Sequence, residues 1–225
     1  HGEFPKALYS PINVESAFRV TQAAFHTAQK FQTPAIILTD QYLLDSGYDI
    51  QPPEVGNAAA PIPPIKTDAG YKRYAYPQTG AYTSEFAVPG YGSGFVSFDS
   101  HEHTEDAHIS EDRNIRTNMV DKRLRKTDGM KAEAMPPVIL SKGDYDTLVV
   151  CWGSTFEPLK EAMDILNYKK IALVACEQIY PLSEEYIRLI SSPLIKIFVE
   201  GNATGQFARL TRSHTGIDAS ELILK

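Results

Sequence analysis

The chain has 225 residues, 43% of them hydrophobic and 22% charged, a balance that excludes wholesale disorder, collagen-like repeats and a coiled coil. Lysine and arginine total 22 against 28 aspartates and glutamates, a formal net charge of −6, so no broad basic field draws in nucleic-acid phosphates or an anionic membrane surface. The two cysteines, Cys151 and Cys176, are too few for a disulfide framework and lie in apolar, strand-like runs, as buried reduced thiols in a reducing, cytoplasmic compartment would.

The longest apolar stretches are strand-sized and far short of the ~20 residues that span a bilayer. The opening residues, His1-Gly-Glu-Phe-Pro-Lys6, have no initiator methionine and no charged-then-apolar leader, and read as an internal start. Over 13–31, Ala17, Ala24, Ala28 and Phe31 recur beside Phe18 and Phe25 at helical spacing, which predicts an amphipathic helix capped by Asn13, with Glu15 at the positive end of its dipole. Gln32-Thr33-Pro34 stops it; residues 35–38 predict a buried parallel strand and 40–44 a short helix. One helix and one strand cannot enclose a core, so residues 1–46 are expected to be the tail of a larger α/β domain whose other strands the chain does not contain.

Prolines, glycines and tyrosines break every helical period over 51–94, which predicts an extended linker. Its apolar side chains, among them Ile62, Ile65, Tyr71, Tyr74, Tyr82 and Phe86, require that it pack along a neighbouring domain or subunit. Short strands are expected at 72–76 and 95–98. Residues 111–134 predict a long polar helix with Ile115, Met119, Leu124 and Met130 as its thin apolar side and the run Lys122-Arg-Leu-Arg-Lys126 as a solvated face, with an anion site as the alternative. The linker and this helix fill residues 47–136.

From 137 to 225 strands and helices alternate. Strands are predicted over 147–152, 170–175 and 195–199. A Ser154-Thr-Phe-Glu157 capping box opens a helix to 166, Ser183 caps a second helix, and Thr204 or Asn202 caps a third. Apolar strands alternating with helices imply an α/β fold with a parallel sheet covered on both faces.

Few groups in this pattern carry chemistry. His101 and His103, with His108 beyond, form the one cluster of possible metal ligands, and period-two alternation would put the first two on one side of a strand. The polar, acidic surroundings favour a solvated turn and no metal site. The Gly90-Tyr-Gly92-Ser-Gly94 run lacks the helix and the acidic partner that a phosphate-binding loop requires. The turn Glu200-Gly-Asn-Ala-Thr-Gly-Gln206 follows a strand and opens a helix, where ligands and partner loops collect on parallel sheets. Its residues Glu200, Asn202, Thr204, Gly205 and Gln206 are the candidates for an interface or for domain positioning. No Ser-His-Asp or Cys-His nucleophile can be assembled, and no catalytic residue is assigned.

His1-Gly-Glu-Phe-Pro5, Lys30-Phe-Gln-Thr-Pro34, Leu38-Thr-Asp-Gln-Tyr-Leu43, Glu102-His103 followed by Glu111-Asp112, Met119-Val-Asp-Lys-Arg-Leu-Arg-Lys126, Trp152-Gly-Ser-Thr155 and Glu200-Gly-Asn-Ala-Thr-Gly-Gln-Phe207 occur in succession. Together they resemble the alpha subunit of 2-oxoacid:ferredoxin oxidoreductases, most closely the 2-oxoglutarate type, over essentially the whole chain. The resemblance implies the last helix–strand unit of a thiamine pyrimidine-binding domain, followed by a transketolase C-terminal-like domain. It implies oxidative decarboxylation of a 2-oxoacid to an acyl-coenzyme A with electrons passing to ferredoxin, a beta-subunit partner and a hetero-oligomer. It places thiamine diphosphate and magnesium in the intact complex and the iron–sulfur cluster on a partner subunit or domain. The aminopyrimidine-contacting glutamate and the substrate-binding threonine and arginine of the family are expected upstream of His1. His1 and Gly2 are then near the active site, and this chain by itself is expected to bind no cofactor tightly and to be inactive. The alternative reading is a non-catalytic α/β binding or assembly module using the Glu200 turn.

Overall fold

A computed structural model describes residues 3–52, 60–77, 81–167, 169–192 and 194–224. A short strand β1 (Ala7–Tyr9) precedes helix α1 (Val14–Phe31), strand β2 (Ala35–Ile37) and the one-turn helix α2 (Gln41–Asp45). Asn13 caps α1 reciprocally with Ser16, whose backbone N–H donates to Asn13 Oδ1 while the Ser16 hydroxyl accepts from the Asn13 N–H. The buried line of α1 runs through Ser16, Val20, Ala24 and Phe31, while Phe25 is 75% exposed. The expected apolar stripe is therefore corrected: Phe25 points to solvent, and the small and β-branched residues let α1 lie close on β1.

β1 pairs in parallel with β2 and antiparallel with β6 (Gln178–Tyr180), giving a three-stranded sheet in the order β2-β1-β6. The opening unit thus has one strand from the later part of the chain, β6, added to its own two. β1 escaped notice because three residues carry too little pattern to read.

Between α2 and helix α3 (Arg113–Ala132), the described residues form turns and isolated bridges, with no strand at 72–76 or 95–98. The bulk of the glycine run is explained by close backbone approach: a Cβ at Gly94 would sit 2.0 Å from the Asp68 carbonyl oxygen. As expected, this extended segment packs against its neighbours. Gln29 and Ile62 exchange side chain–backbone hydrogen bonds at 2.6 and 3.1 Å, Gln32 Nε2 donates to the Ser84 carbonyl at 2.7 Å, and Phe31 lies against Tyr82. Helix α3 starts at Asp112, whose carboxylate accepts from the backbone of Asn114 and Ile115. It buries Met119, Met130 and also Lys122, while Leu124 is exposed.

The second sheet follows with β3 (Val138–Ser141), β4 (Thr147–Trp152), β5 (Ile171–Cys176), β7 (Ile195–Glu200) and β8 (Glu221–Leu224), in the order β3-β5-β4-β7-β8. The pairs β4–β5, β4–β7 and β7–β8 are parallel, and β3 closes one edge antiparallel to β5. β3 alternates half-buried and exposed residues, as an edge strand should, whereas β4 and β5 are almost wholly buried. Helices α5 (Glu184–Ile190) and α6 (Gln206–Thr215) cover one face, placing Tyr186, Ile190, Phe207 and Ala208 against Leu148, Val150 and Phe198. Helix α4 (Phe156–Leu166) covers the other, with Phe156 against Val149, Cys151, Leu173 and Ala175. Both cysteines are free and buried. Among the described residues no helix is long and apolar enough to cross a membrane.

Candidate functional site

The carboxyl ends of the parallel strands meet at a polar seam. Past β4, the 3-10 turn Gly153–Thr155 brings Gly153 beside the residues following β1 and β2: a Cβ there would lie 3.3 Å from Ser10 Oγ and 3.8 Å from Asp40 Oδ2. The Ser154 hydroxyl donates to Asp40, which also caps α2 by accepting from the Leu43 N–H. This overturns the capping box read at Ser154: a 3-10 turn intervenes before α4, Thr155 makes no side-chain cap, and the serine bridges between sheets. Asn13 extends the seam, its Nδ2 donating to Glu157 at 2.8 Å.

Glu200, the last residue of β7, is 1% exposed. Its Oε2 accepts from Trp152 Nε1 at 3.2 Å, Asn202 Nδ2 at 2.7 Å and the Phe207 N–H at 2.9 Å, and its Oε1 accepts from the Ala208 N–H at 2.9 Å. The buried carboxylate therefore satisfies two orphan donors at the start of α6 and sits at the positive end of the helix dipole. Thr204 does not cap the helix. Asn202 braces the turn by accepting from the Thr204 and Gln206 N–H groups, while Gly205 occupies the N-cap position with φ of 61°, a left-handed conformation that glycine adopts without strain. A carboxylate acting as cap from seven residues upstream leaves no local sequence signal, and the sequence itself points only to an ordinary Asn or Thr cap. Thr204 and Gln206 are exposed, and neither side chain has a hydrogen-bond partner among the described residues. His1 and Gly2 lie outside the described residues.

The histidine cluster does not form. His103 is buried and stacked on Tyr74 with ring centroids 3.8 Å apart, whereas His101 and His108 face solvent beside Asp99 and Asp106. The segment turns instead of running as a strand, so the two-residue spacing does not bring His101 and His103 to one side, and His103 is not the solvated residue expected. Among the described residues no three His, Cys, Asp or Glu side chains gather around a possible metal position.

The basic run on α3 also departs from expectation. Lys122 is only 7% exposed; its Nζ donates to the Tyr74 carbonyl at 2.6 Å and to Ser84 Oγ at 2.8 Å. Lys126 Nζ donates to the Gln32 carbonyl at 2.9 Å. Arg123 grips Glu102 with two bonds at 3.0 and 2.8 Å, and this bond to the guanidinium is the main reason the Glu102 carboxyl is held below its usual range. A helical stretch that reads as a solvated face is turned inward because the extended segment and the end of α1 lie over it, offering the Tyr74 carbonyl to Lys122 and the Gln32 carbonyl to Lys126.

Burial, reinforced by neighbouring cations, lowers Lys122 and Lys126 from 10.5 to about 8. The folded state thus releases these protons first, and between pH 8 and 10.5 the unfolded chain binds more, so these two groups make stability rise with pH. Burial of Cys151 and Cys176 works in the opposite direction as pH approaches 9. A comparison with Lys126→Met isolates one lysine: from pH 7 to 9, urea unfolding of the parent should gain about 1 kcal/mol relative to the variant. Parallel pH profiles would show that Lys126 does not feel the burial seen in the fold.

A family model described as pyruvate flavodoxin/ferredoxin oxidoreductase, thiamine diphosphate-binding, matches residues 2–122. The chain is 30% identical over 234 aligned positions to the alpha subunit of 2-oxoacid:ferredoxin oxidoreductase 1 of Sulfurisphaera tokodaii, and 29% identical over 236 to that of oxidoreductase 2 of Aeropyrum pernix. Each alignment takes in 100% of this chain and 36% of the relative, so the chain spans about a third of the length of these relatives. A solved 2-oxoglutarate:ferredoxin oxidoreductase from Magnetococcus marinus, with 2-oxoglutarate, coenzyme A and succinyl-CoA bound, superposes with a TM-score of 0.79 over 100% of this chain and 40% of that one. At 22% identity the likeness is one of fold.

Proposed function

This chain belongs to the pyruvate flavodoxin/ferredoxin oxidoreductase family, in its thiamine diphosphate-binding part, and on that premise we propose that it contributes to the alpha subunit of a thiamine diphosphate-dependent 2-oxoacid:ferredoxin oxidoreductase. The observation that carries the reading is the family match over residues 2–122, joined to an alignment with alpha subunits over the whole chain. We propose 2-oxoglutarate as the substrate, with coenzyme A as acyl acceptor and ferredoxin as electron acceptor. The fold shared with a solved enzyme that has 2-oxoglutarate and coenzyme A bound supports that choice. The division into 1–46, 47–136 and 137–225 is kept as part of the same proposal, the first and last units joined through the β1–β6 pairing.

Thiamine diphosphate, when bound, supplies a carbanion that attacks the keto carbon and a ring that takes up the electrons left as carbon dioxide departs. The described residues do not fit a role in holding an iron–sulfur cluster. No trio of metal-ligating side chains gathers among them, and burial pushes the thiol of Cys151 up to about 12 and that of Cys176 well above its ordinary value, so neither is a ready thiolate ligand. The chain's part is to shape and position. The Glu200 carboxylate fixes the turn from inside, and Thr204 and Gln206 are presented outward for a beta subunit or a neighbouring thiamine domain.

The test is coenzyme A-dependent reduction of a viologen dye by 2-oxoglutarate. The 225-residue chain by itself should give no turnover, and the assembly containing it should. In that assembly Gln206→Ala should weaken subunit association by about 1 to 3 kcal/mol, measured by dissociation on dilution, because a partner group at the interface is left unpaired. Turnover by the isolated chain, or an assembly indifferent both to 2-oxoglutarate and to the Gln206 change, would sink the reading.

A further inference from the structure

Between α3 and the extended segment lies a cavity of about 220 Å³, framed by the cations Arg73, Lys122, Arg123 and Lys126 with Gln32 and Ser84. Four positive groups around one small space, in a protein of net charge −6, call for an explanation. Among the described residues, only Arg123 of the four is paired with a carboxylate, that of Glu102. Lys122 and Lys126 have neutral oxygens as partners, and Arg73 Nη1 donates to the Gln32 carboxamide oxygen at 2.7 Å. Glu105 also acts on Lys122 through its charge, and it is engaged with Lys72 at 3.5 Å and with the Tyr76 N–H at 2.9 Å.

Buried cations are ordinarily paired, because desolvation is otherwise unrelieved. Lys122, the buried one of the four, has no carboxylate partner among the described residues, and donors remain to be used on it and on its half-buried neighbours. An ammonium has three protons; Lys126 uses one on protein and Lys122 two. The Arg73 Nε is buried with no hydrogen-bond partner, the one such side-chain atom among the described residues. The guanidinium is kept in place by the rings of Tyr74, Phe86 and Phe98, each 5.5 to 5.8 Å from its centre. Rings can hold that plane but cannot accept the Nε proton in a normal hydrogen bond. The sequence puts Lys122 and Lys126 four residues apart on one helix face, where like charges repel, so their juxtaposition costs stability unless something negative lies between them.

The geometry points to an anion site: this cavity takes a tetrahedral oxyanion, phosphate or the phosphate end of a monoester, held by Lys126, Lys122 and Arg73. Several donors converging from different directions suit the three or more acceptor oxygens of such a group, and the Ser84 hydroxyl lies at its edge. Once bound, the oxyanion ties α3 to the extended segment through the residues that already clasp it. This inference stands on the cavity alone and does not depend on which 2-oxoacid the family member uses.

Isothermal titration of the full 225-residue chain with inorganic phosphate and, separately, with glycerol 3-phosphate, at constant ionic strength set with chloride, tests it. Saturable binding at millimolar concentration or tighter is expected. If both bind, free phosphate suffices; if only the ester does, the source is a phosphorylated ligand. Lys126→Met and Arg73→Gln should each weaken binding about tenfold or more, while Lys131→Met, which removes an exposed charge from the same helix, should leave it unchanged. Far-ultraviolet circular dichroism establishes that each variant is folded, and the two cavity variants cover for one another if one is not. No saturable binding of either probe, or binding equally lowered by Lys131→Met, overturns the site.

Discussion

Glu200→Ala is expected to destabilise the fold by about 4 kcal/mol, because the change deserts four donors at once. The N–H groups of Phe207 and Ala208, the Trp152 indole and the Asn202 amide all point at this one carboxylate inside the protein. Hydrogen bonds to a charged group contribute about 1.5–3 kcal/mol each, and partial entry of water offsets part of the sum. Glu200→Gln retains one acceptor oxygen but turns an N–H₂ toward donors, so about half the loss is expected. Urea unfolding of the chain reads both effects, with the melting of α6 visible in the accessibility of its amides to exchange. Losses under 1 kcal/mol for both variants would mean that the carboxylate is not the cap. In the assembled enzyme, a Glu200→Gln variant that folds and associates normally yet fails at decarboxylation would make the turn catalytic and contradict the positioning role.

Arg19→Ala should cost about 3 kcal/mol through a different mechanism. Glu177 lies between β5 and β6, where the chain passes from one sheet to the other, and its side chain is 2% exposed. Both of its oxygens accept from Arg19 Nη2, at 2.6 and 2.7 Å, and no other donor reaches them among the described residues. Removing the arginine strands a buried negative charge, whereas removing both partners does not. The double variant Arg19→Ala/Glu177→Gln should therefore recover most of the loss, a coupling of about 2 kcal/mol in a double-mutant cycle. Because 57% of the arginine side chain is exposed, water replaces part of what it supplies, which keeps the expected cost at the low end for buried pairs. Additive single effects would show that the two residues stabilise the fold independently.

The position of Glu177 also separates what the sequence determined from what the tertiary structure decided. The alternation from 147 onward was legible because strands buried on both faces must be largely apolar along their length, as Thr147–Trp152 and Ile171–Cys176 are, and because Ile195–Glu200 keeps an apolar run between its two charged residues. The Asn13 and Ser183 caps were legible because their partners lie three residues away. The family was legible because its motifs occur in order along the chain. Tertiary structure decided what depends on distant partners. β1 and β6 are three-residue strands that exist because each meets the other across most of the sequence, and β8 exists because β7 offers it an edge. Lys122 and Lys126 belong to a local pattern that reads as a wet surface; Lys122 is buried and Lys126 half-buried because residues dozens of positions away fold over them and supply carbonyl oxygens. Glu200 reads as the charged end of a strand and becomes the seat of a helix because the turn after it brings the start of α6 back onto its carboxylate, with Trp152 the one distant donor among the described residues. Periodicity and capping are set by neighbours within a few residues, whereas burial of a charge is set by whichever part of the chain arrives to pair with it.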